Sequence, residues 1–333
     1  METNKQTVLV TGGAGYIGSH TVLSIREAGF NVVIVDNLST GHREIVPDDV
    51  PFVVCNVSDA SAINEIMQSY DICAVMHFAG SIIVPESVSD PLKYYENNTS
   101  VSRDIIERCV ANKIRAFIFS STAAVYGIPA QNPVSEDSQT APINPYGNSK
   151  LMTEGILKDT AAAHDFNFVA LRYFNVAGAD AKGRSGQLSP QATHLIKIAC
   201  QVATGKKDYI EIFGDDYDTP DGTCIRDYIH VTDLAYAHVE ALKHLLGSGE
   251  NLILNCGYGH GYSVSEVLSA VERVTGRELN IRIAQRRDGD PMALVADACK
   301  IRQCLGWSPR YNDLDLIVKT AIEWEMKLIN FQT

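Results

Sequence analysis

A tyrosine and a lysine four residues apart, Tyr146 and Lys150 in Asn144-Pro-Tyr-Gly-Asn-Ser-Lys150, carry the most pointed chemistry in this chain. Asparagine is a good helix cap and proline fits a first helical turn, so the segment predicts a helix that sets both side chains on one face. A phenol with a pKa near ~10 is a weak base at neutral pH, but a neighbouring ammonium and a positively charged nicotinamide each favour its phenolate. Tyr146 can then take a hydroxyl proton while hydride leaves the same carbon. Upstream, Phe119-Ser-Ser-Thr-Ala-Ala-Val-Tyr-Gly127 places three hydroxyls just after an apolar strand. Of these, Thr122 is expected to hydrogen-bond the reacting oxygen and shuttle its proton.

Hydride chemistry needs a nucleotide cofactor, and the first thirty-six residues have the pattern that holds one. An apolar strand from Thr7 runs into Gly12, Gly15 and Gly18; a helical pattern (Ile17, Val22, Leu23, Ile25, Ala28) follows, Gly29 stops it, and a second apolar strand ends on Asp36. The glycines let the backbone turn tightly and approach a pyrophosphate, whose charge sits among the unpaired N–H groups of the helix N-terminus. Asp36 accepts from both adenosine ribose hydroxyls and repels a 2′-phosphate, which favours NAD over NADP. Arg43, the nearest base, reads as an exposed loop residue.

Strand and helix patterns keep alternating: Phe52–Cys55, a helix near Ala60–Gln68, Ile72–Met76, a long helix after Pro91, Ala116–Phe119, a helix from about Pro145 to His164, and Phe168–Leu171. This predicts an α/β fold with a doubly wound parallel sheet and a ligand crevice at the carboxyl ends of its strands. After Asn175 the rhythm breaks into mixed short elements. The expected organisation is a nucleotide-binding domain over 1–175 and a smaller mixed α/β substrate domain over 176–333.

The chain has 333 residues, 45% hydrophobic and 20% charged, ordinary for a globular protein. A formal charge of −12 opposes binding to nucleic acid or an anionic membrane, so an anionic substrate needs local basic residues. No apolar stretch approaches the ~20 residues of a membrane span, and the first residues lead straight into a strand without an apolar leader, so a cytoplasmic protein is expected. Eight scattered cysteines form no Cys-x-x-Cys pair, so no metal is expected. Most, such as Cys55, Cys73 and Cys200, sit inside apolar strand or helix patterns, and the closest two, Cys299 and Cys304, read as buried reduced thiols.

The spacing Gly-x-x-Gly-x-x-Gly, with His77-Phe-Ala-Gly80, Tyr94-Tyr-Glu-Asn-Asn98, Ser120-Ser-Thr122, the Tyr146/Lys150 helix, Leu171-Arg-Tyr-Phe-Asn175 and Asp221-Gly-Thr-Cys-Ile-Arg-Asp-Tyr-Ile-His-Val231, resembles the extended short-chain dehydrogenase/reductase family over nearly the whole chain. Within that family the resemblance is to members that epimerise UDP-hexoses at C4. It implies a Rossmann-like fold, bound NAD, and passage through a transient 4-keto sugar. It places Tyr16 and Ile17 along the pyrophosphate, Asp36 and Asn37 at the ribose, Asn56 and Val57 at the adenine, and Phe78, Ala79, Asn97 and Phe174 along the rest of the groove. Asn175, Leu195, Arg226, Arg287 and Asp290 would hold the UDP. Two arginines can neutralise a pyrophosphate through forked donors; the alternative pairs them with the neighbouring acids Asp227 and Asp288.

The chain departs from the family pattern at several positions. Asn56 stands for an aspartate and Ile82 for a lysine, each removing a charge at the cofactor. His194 stands for an asparagine beside the UDP phosphates and reads either as a contact there or as a packed surface residue. Leu294 occupies the place of a bulkier tyrosine in some members, which implies room for UDP-N-acetylhexosamines. A dehydratase would show an added Asp-Glu pair near Thr122, a uronate enzyme an arginine for the carboxylate, and a non-catalytic regulator would have lost Tyr146 or Lys150. The family pairs the helices near Pro91–Ala111 and Pro145–His164 into a homodimer, and Ile105, Ile106, Cys109 and Val110 suit that interface or packing on the sheet.

Overall fold

Strand β1 (Thr7–Thr11) divides its side chains between two cores, Val8 and Val10 entering one apolar cluster and Leu9 the other. That is the period-two placement of a strand buried on both faces. The computed structural model describes residues 6–189, 193–247, 249–287 and 289–330. After β1 come α1 (Tyr16–Glu27), β2 (Asn31–Asp36), β3 (Phe52–Val54), α2 (Ala60–Ser69) and β4 (Ile72–His77). Helices α3 (Val84–Ser89), α4 (Pro91–Tyr94) and α5 (Val101–Ala111) lead to β5 (Ala116–Thr122), α6 (Pro145–Ala163), β6 (Asn167–Tyr173) and β7 (Asn175–Ala177). The remainder comprises α7 (Leu195–Ala203), β8 (Ile210–Phe213), β9 (Ile225–Arg226), β10 (Tyr228–His230), α8 (Val231–Gly247), β11 (Leu252–Cys256) and β12 (Tyr262–Ser263). It closes with α9 (Val264–Thr275), β13 (Ile281–Ala284), β14 (Ala293–Leu294), α10 (Cys299–Leu305) and α11 (Leu314–Asn330).

Seven strands form one parallel sheet in the order β11-β6-β5-β4-β1-β2-β3. The order reverses between β1 and β4, so successive connections leave in opposite directions there and open a crevice above the carboxyl ends. Thr11, Asp36, His77, Thr122 and Tyr173 all end strands on that side. The chain beyond residue 175 returns to this sheet, supplying its edge strand β11 and helix α8, which packs on α1. Three small sheets stand beside it: β7 with β10, β8 with β13, and β9 between β12 and β14.

The long helix expected after Pro91 is interrupted by a π-helical segment, Tyr95–Ser100. Asn98 explains it. Its side-chain amide donates to the Ser81 carbonyl and Ser149 Oγ and accepts from Ser81 N, while its backbone carbonyl takes the hydroxyls of Ser102 and Thr153. A widened turn exposes a carbonyl that regular α-helical bonding would occupy.

Packing decides one open alternative and overturns one expectation. Ile105, Ile106 and Cys109 lie in this chain's own core, with Val110 packed against it; the exposed apolar side chains on neighbouring surface are instead Val84, Val88, Leu92 and Met152. Cys299 and Cys304 are exposed rather than buried, because α10 turns Ile301 and Leu305 to the core and leaves both thiols outside that face.

Candidate active site

The cofactor end of the crevice begins at Gly12, whose φ of +72° and close approach to the β4 connection suit glycine: an added Cβ would lie 2.6 Å from Ala79 N. A Cβ on Gly18 would overlap the Gly12 carbonyl. Helix α1 starts at Gly15 with no side-chain cap and no acid in its first turn, leaving its amides to an anion. Asp36 Oδ2 accepts from Ala14 N at 3.0 Å and Oδ1 from Leu38 N at 2.9 Å. Two accepted bonds leave about half of a carboxylate's ~four acceptor sites for ribose hydroxyls. These groups fit a dinucleotide. Arg43 is turned away, its guanidinium over the Phe52 ring and donating to the Val46 carbonyl.

The other predicted groove residues sort by what they already touch. Tyr16 sends its hydroxyl to the Gly178 carbonyl at 2.6 Å, tying α1 to the end of β7, so its backbone rather than its phenol faces the turn. Ile17 packs on the core, Val57 is buried, and Phe78 lies beside His238 with ring centroids 4.8 Å apart. Asn37 and Asn56 are exposed and accept from backbone N–H groups two residues on. Asn97 Nδ2 donates to Ser81 Oγ at 3.0 Å.

At the reaction centre, β5 continues through the three hydroxyls that the sequence pattern puts beyond its end. Ser120, Ser121 and Thr122 pair with Leu171, Arg172 and Tyr173 of β6, and that partner extends the strand. Thr122 Oγ1 accepts from Ala124 N at 3.1 Å and lies close enough to the Tyr146 phenol to influence its ionisation. As expected, α6 opens with the Asn144 side chain accepting from Gly147 N and Pro145 in its first turn, which brings Tyr146, Lys150 and Glu154 onto one face. Desolvation raises the half-buried Tyr146 phenol, and the Thr122 hydroxyl pulls it the other way. Lys150 is buried, its Nζ donating to the Ser120 carbonyl at 2.9 Å and lying 4.9 Å from the Phe119 ring centroid. Burial lowers the ammonium to about 8, so it is still charged at neutral pH.

Behind this pair lies a network that sequence reasoning missed. Glu154 accepts from Ser121 Oγ at 2.6 Å and from Arg172 Nε at 2.9 Å and Nη2 at 2.6 Å, with both side chains of the ion pair buried. Arg172 also donates to Tyr126 Oη, which donates to Asn255 at the end of β11. The hydroxyl of Tyr173 bonds Ser120 Oγ. The i, i+4 spacing of Lys150 and Glu154 was the available signal.

Across the crevice, Asn175, His194 and Leu195 line one cleft with Gln187, Tyr228 and Trp324. His194 is half-buried, its Nδ1 2.8 Å from Gln187 Nε2, and desolvation lowers its pKa, so it is neutral at pH 7. Arg226 pairs with Asp290 and not with Asp227; Asp227 is buried and accepts N–H groups of Tyr258, Gly259 and Ala296. The Arg287 guanidinium lies 3.7 Å from the Phe213 ring centroid, and Asp288 falls outside the described residues. Leu294, in register with Arg226 across β14 and β9, packs with Phe174, Ala123 and Tyr126 beside Thr122.

A sequence model of the NAD dependent epimerase/dehydratase family matches residues 8–257. The UDP-glucose 4-epimerase of Azospirillum brasilense is 55% identical over 321 residues, 96% of this chain and 92% of that protein. Among solved structures, a UDP-glucose 4-epimerase from Brucella ovis in complex with NAD superposes with a TM-score of 0.93 at 46% identity, covering 96% of this chain and 98% of that one. The UDP-Glc/GlcNAc 4-epimerase of Campylobacter jejuni does so with a TM-score of 0.85 at 47% identity, covering 97% and 99%. With a parallel sheet, a glycine turn and a strand-end hydroxyl beside a helical Tyr/Lys pair also in place, this chain belongs to the NAD dependent epimerase/dehydratase family.

Proposed function

We propose that the protein interconverts UDP-glucose and UDP-galactose by NAD-dependent epimerisation at C4, through a transient 4-keto sugar. The observation that carries this reading is the meeting of Thr122, Tyr146 and Lys150 at the carboxyl end of β5, on the same side of the sheet as the glycine turn that follows β1. When bound, NAD supplies the hydride acceptor and then the donor, so net redox is zero. Tyr146 takes the C4 hydroxyl proton, with Thr122 bonding both the phenol and the sugar oxygen. Lys150, held by the Ser120 carbonyl, keeps a positive charge behind the phenol as it ionises. Returning that proton after the sugar has turned over completes the inversion.

Gly12, Gly15, Gly18, Tyr16, Ile17, Asp36, Asn37, Asn56, Val57, Phe78, Ala79, Asn97 and Phe174 form the cofactor groove in this reading. Asn175, His194, Leu195, Arg226, Arg287 and Asp290 hold the UDP. Arg226 supplies a forked donor already oriented by Asp290, which favours a firmly held pyrophosphate. Leu294 presents only a leucine to the hexose, which suits turnover of UDP-N-acetylhexosamines as well. The chain divides near residue 175 into cofactor and substrate units, with α8 and β11 returning to the cofactor sheet, pairs as a homodimer through the surface of α3, α4 and α6, where Val84, Val88, Leu92 and Met152 are exposed, and works in the cytoplasm.

The test is to add UDP-galactose to purified protein without NAD and follow the anomeric proton signals by NMR. Appearance of UDP-glucose supports both the reaction and a retained cofactor. No conversion, with added NAD also failing, overturns the reading.

A further inference from the structure

Strand β14 is only two residues long and, among the described residues, has a strand partner on one side alone, where Leu294 lies opposite Arg226 of β9 and its carbonyl accepts from Asp227 N at 3.2 Å. In an extended strand the carbonyl of the preceding residue and the N–H of the following one both point to the opposite edge. On that edge stands Asn132, in the loop between β5 and α6. Its Nδ2 donates to the Ala293 carbonyl at 2.9 Å and its Oδ1 accepts from Val295 N at 2.9 Å. One side-chain amide therefore reproduces the two hydrogen bonds of a peptide group and brackets Leu294 on both sides. Two residues on, Val134 extends the same strap through its main chain, donating to the Val295 carbonyl at 2.8 Å and accepting from Asp297 N at 2.8 Å. Val134 is fully buried and packs in the cluster that holds Leu294, Phe174 and Tyr126.

We propose that Asn132 is a positioning residue for sugar selectivity: it replaces the missing strand on the outer edge of β14 and sets how far the Leu294 side chain stands from the C2 substituent of the hexose. The inference rests on the reading of Leu294 as a wall of the sugar site. The side-chain hydrogen bonds of Asn132 run to Ala293 and Val295, and they join the segment leading into the catalytic helix α6 to the strand that bears the wall. Clamped on both edges, the wall is rigid, and a rigid wall discriminates by size. Released on one edge, it yields to the larger sugar.

The experiment compares kcat/KM for a UDP-N-acetylhexosamine and its parent UDP-hexose in Asn132→Leu, Asn132→Asp, Leu294→Tyr and the double variant Asn132→Leu/Leu294→Tyr. Asn132 is exposed, so the loss of its amide leaves the core intact. Thermal melting and NAD content are followed alongside, and Asn132→Asp keeps the bond from Val295 N if the leucine variant is unstable. Leu294→Tyr is expected to lower the ratio of N-acetylated to parent sugar by about 10- to 200-fold, the range for steric discrimination in an apolar pocket. Asn132→Leu is expected to raise it about three- to tenfold and to recover proportionally more in the Leu294→Tyr background, the non-additivity of two groups acting on one wall. UDP, which has no hexose, binds all four variants alike. If Leu294→Tyr changes the ratio and neither Asn132 variant does in either background, the role of Asn132 is overturned while the sugar wall stands. If Leu294→Tyr leaves the ratio unchanged, the wall itself is misplaced and the inference falls with it. A fall in UDP affinity with an unchanged ratio means that Asn132 only stabilises β14, which also overturns the proposal.

Discussion

Replacing Glu154 by glutamine tests the network behind the catalytic helix. The carboxylate is fully buried and receives three short hydrogen bonds, two of them from the guanidinium of Arg172, itself only 4% exposed. Once neutralised, residue 154 leaves a buried cation whose remaining neighbour is the phenol of Tyr126, with the guanidinium carbon 5.0 Å from the ring centroid. Breaking a buried pair on one side costs about 3–5 kcal/mol, because the stranded charge loses its compensation while remaining out of water. Urea unfolding at neutral pH reads this as a lower midpoint at an unchanged slope. The double variant Glu154→Leu/Arg172→Met strands no charge and should lose less than the sum of its two single changes, with a coupling of about 1–3 kcal/mol. A cost below about 1 kcal/mol for Glu154→Gln, or simple additivity in the double variant, would show that Arg172 reaches solvent and would refute this account.

Three further outcomes are expected. Tyr146→Phe should lower turnover by about 10²- to 10⁴-fold, the usual worth of a positioned acid–base group, while calorimetry finds UDP affinity nearly unchanged; retained activity would remove Tyr146 from its role. Asp36→Asn should weaken NAD binding and narrow the preference for NAD over NADP, read by cofactor titration, and an unchanged preference would move ribose recognition elsewhere. Burial lowers Lys150 from its ordinary 10.5 to about 8. Below that value both folded and unfolded chains hold the proton and the cost of burying the charge is fully in force; between the two values only the unfolded chain holds it, so stability rises with pH across that window by about 3 kcal/mol. Urea midpoints from about pH 7.5 to 10 should show this rise in the native protein and not in Lys150→Met, and equal slopes would contradict it.

How far the chain could be read before folding depended on the range of the interaction concerned. The glycine turn, Asp36 and the capped helix bearing Tyr146 and Lys150 are legible because each depends on a few consecutive residues: a backbone without Cβ, a strand end, an asparagine three residues ahead of the N–H it accepts. The end of β5 is not legible locally, since Ser120 to Thr122 are held extended by β6, some fifty residues later. The π-helical turn also escaped notice, because the group that stabilises it, Thr153 on α6, lies 55 residues from Asn98. The exposure of Cys299 and Cys304 is hidden for a related reason: a short helix with apolar and polar residues intermixed does not reveal how little of it a neighbour covers.

Local patterning by itself therefore determined the parallel α/β class, the nucleotide turn and the pair of side chains able to move a proton. The tertiary structure decided what surrounds them. It chose Asp290 over Asp227 as the partner of Arg226, because backbone N–H groups from three separate positions had already claimed Asp227. It buried the apolar face of α5 against the sheet, placed Glu154 and Arg172 behind the catalytic helix, and set Asn132 against the edge of β14. Each of these is a contest among groups far apart in sequence, settled by which of them packing brings within hydrogen-bonding distance, and no spacing along the chain encodes that outcome.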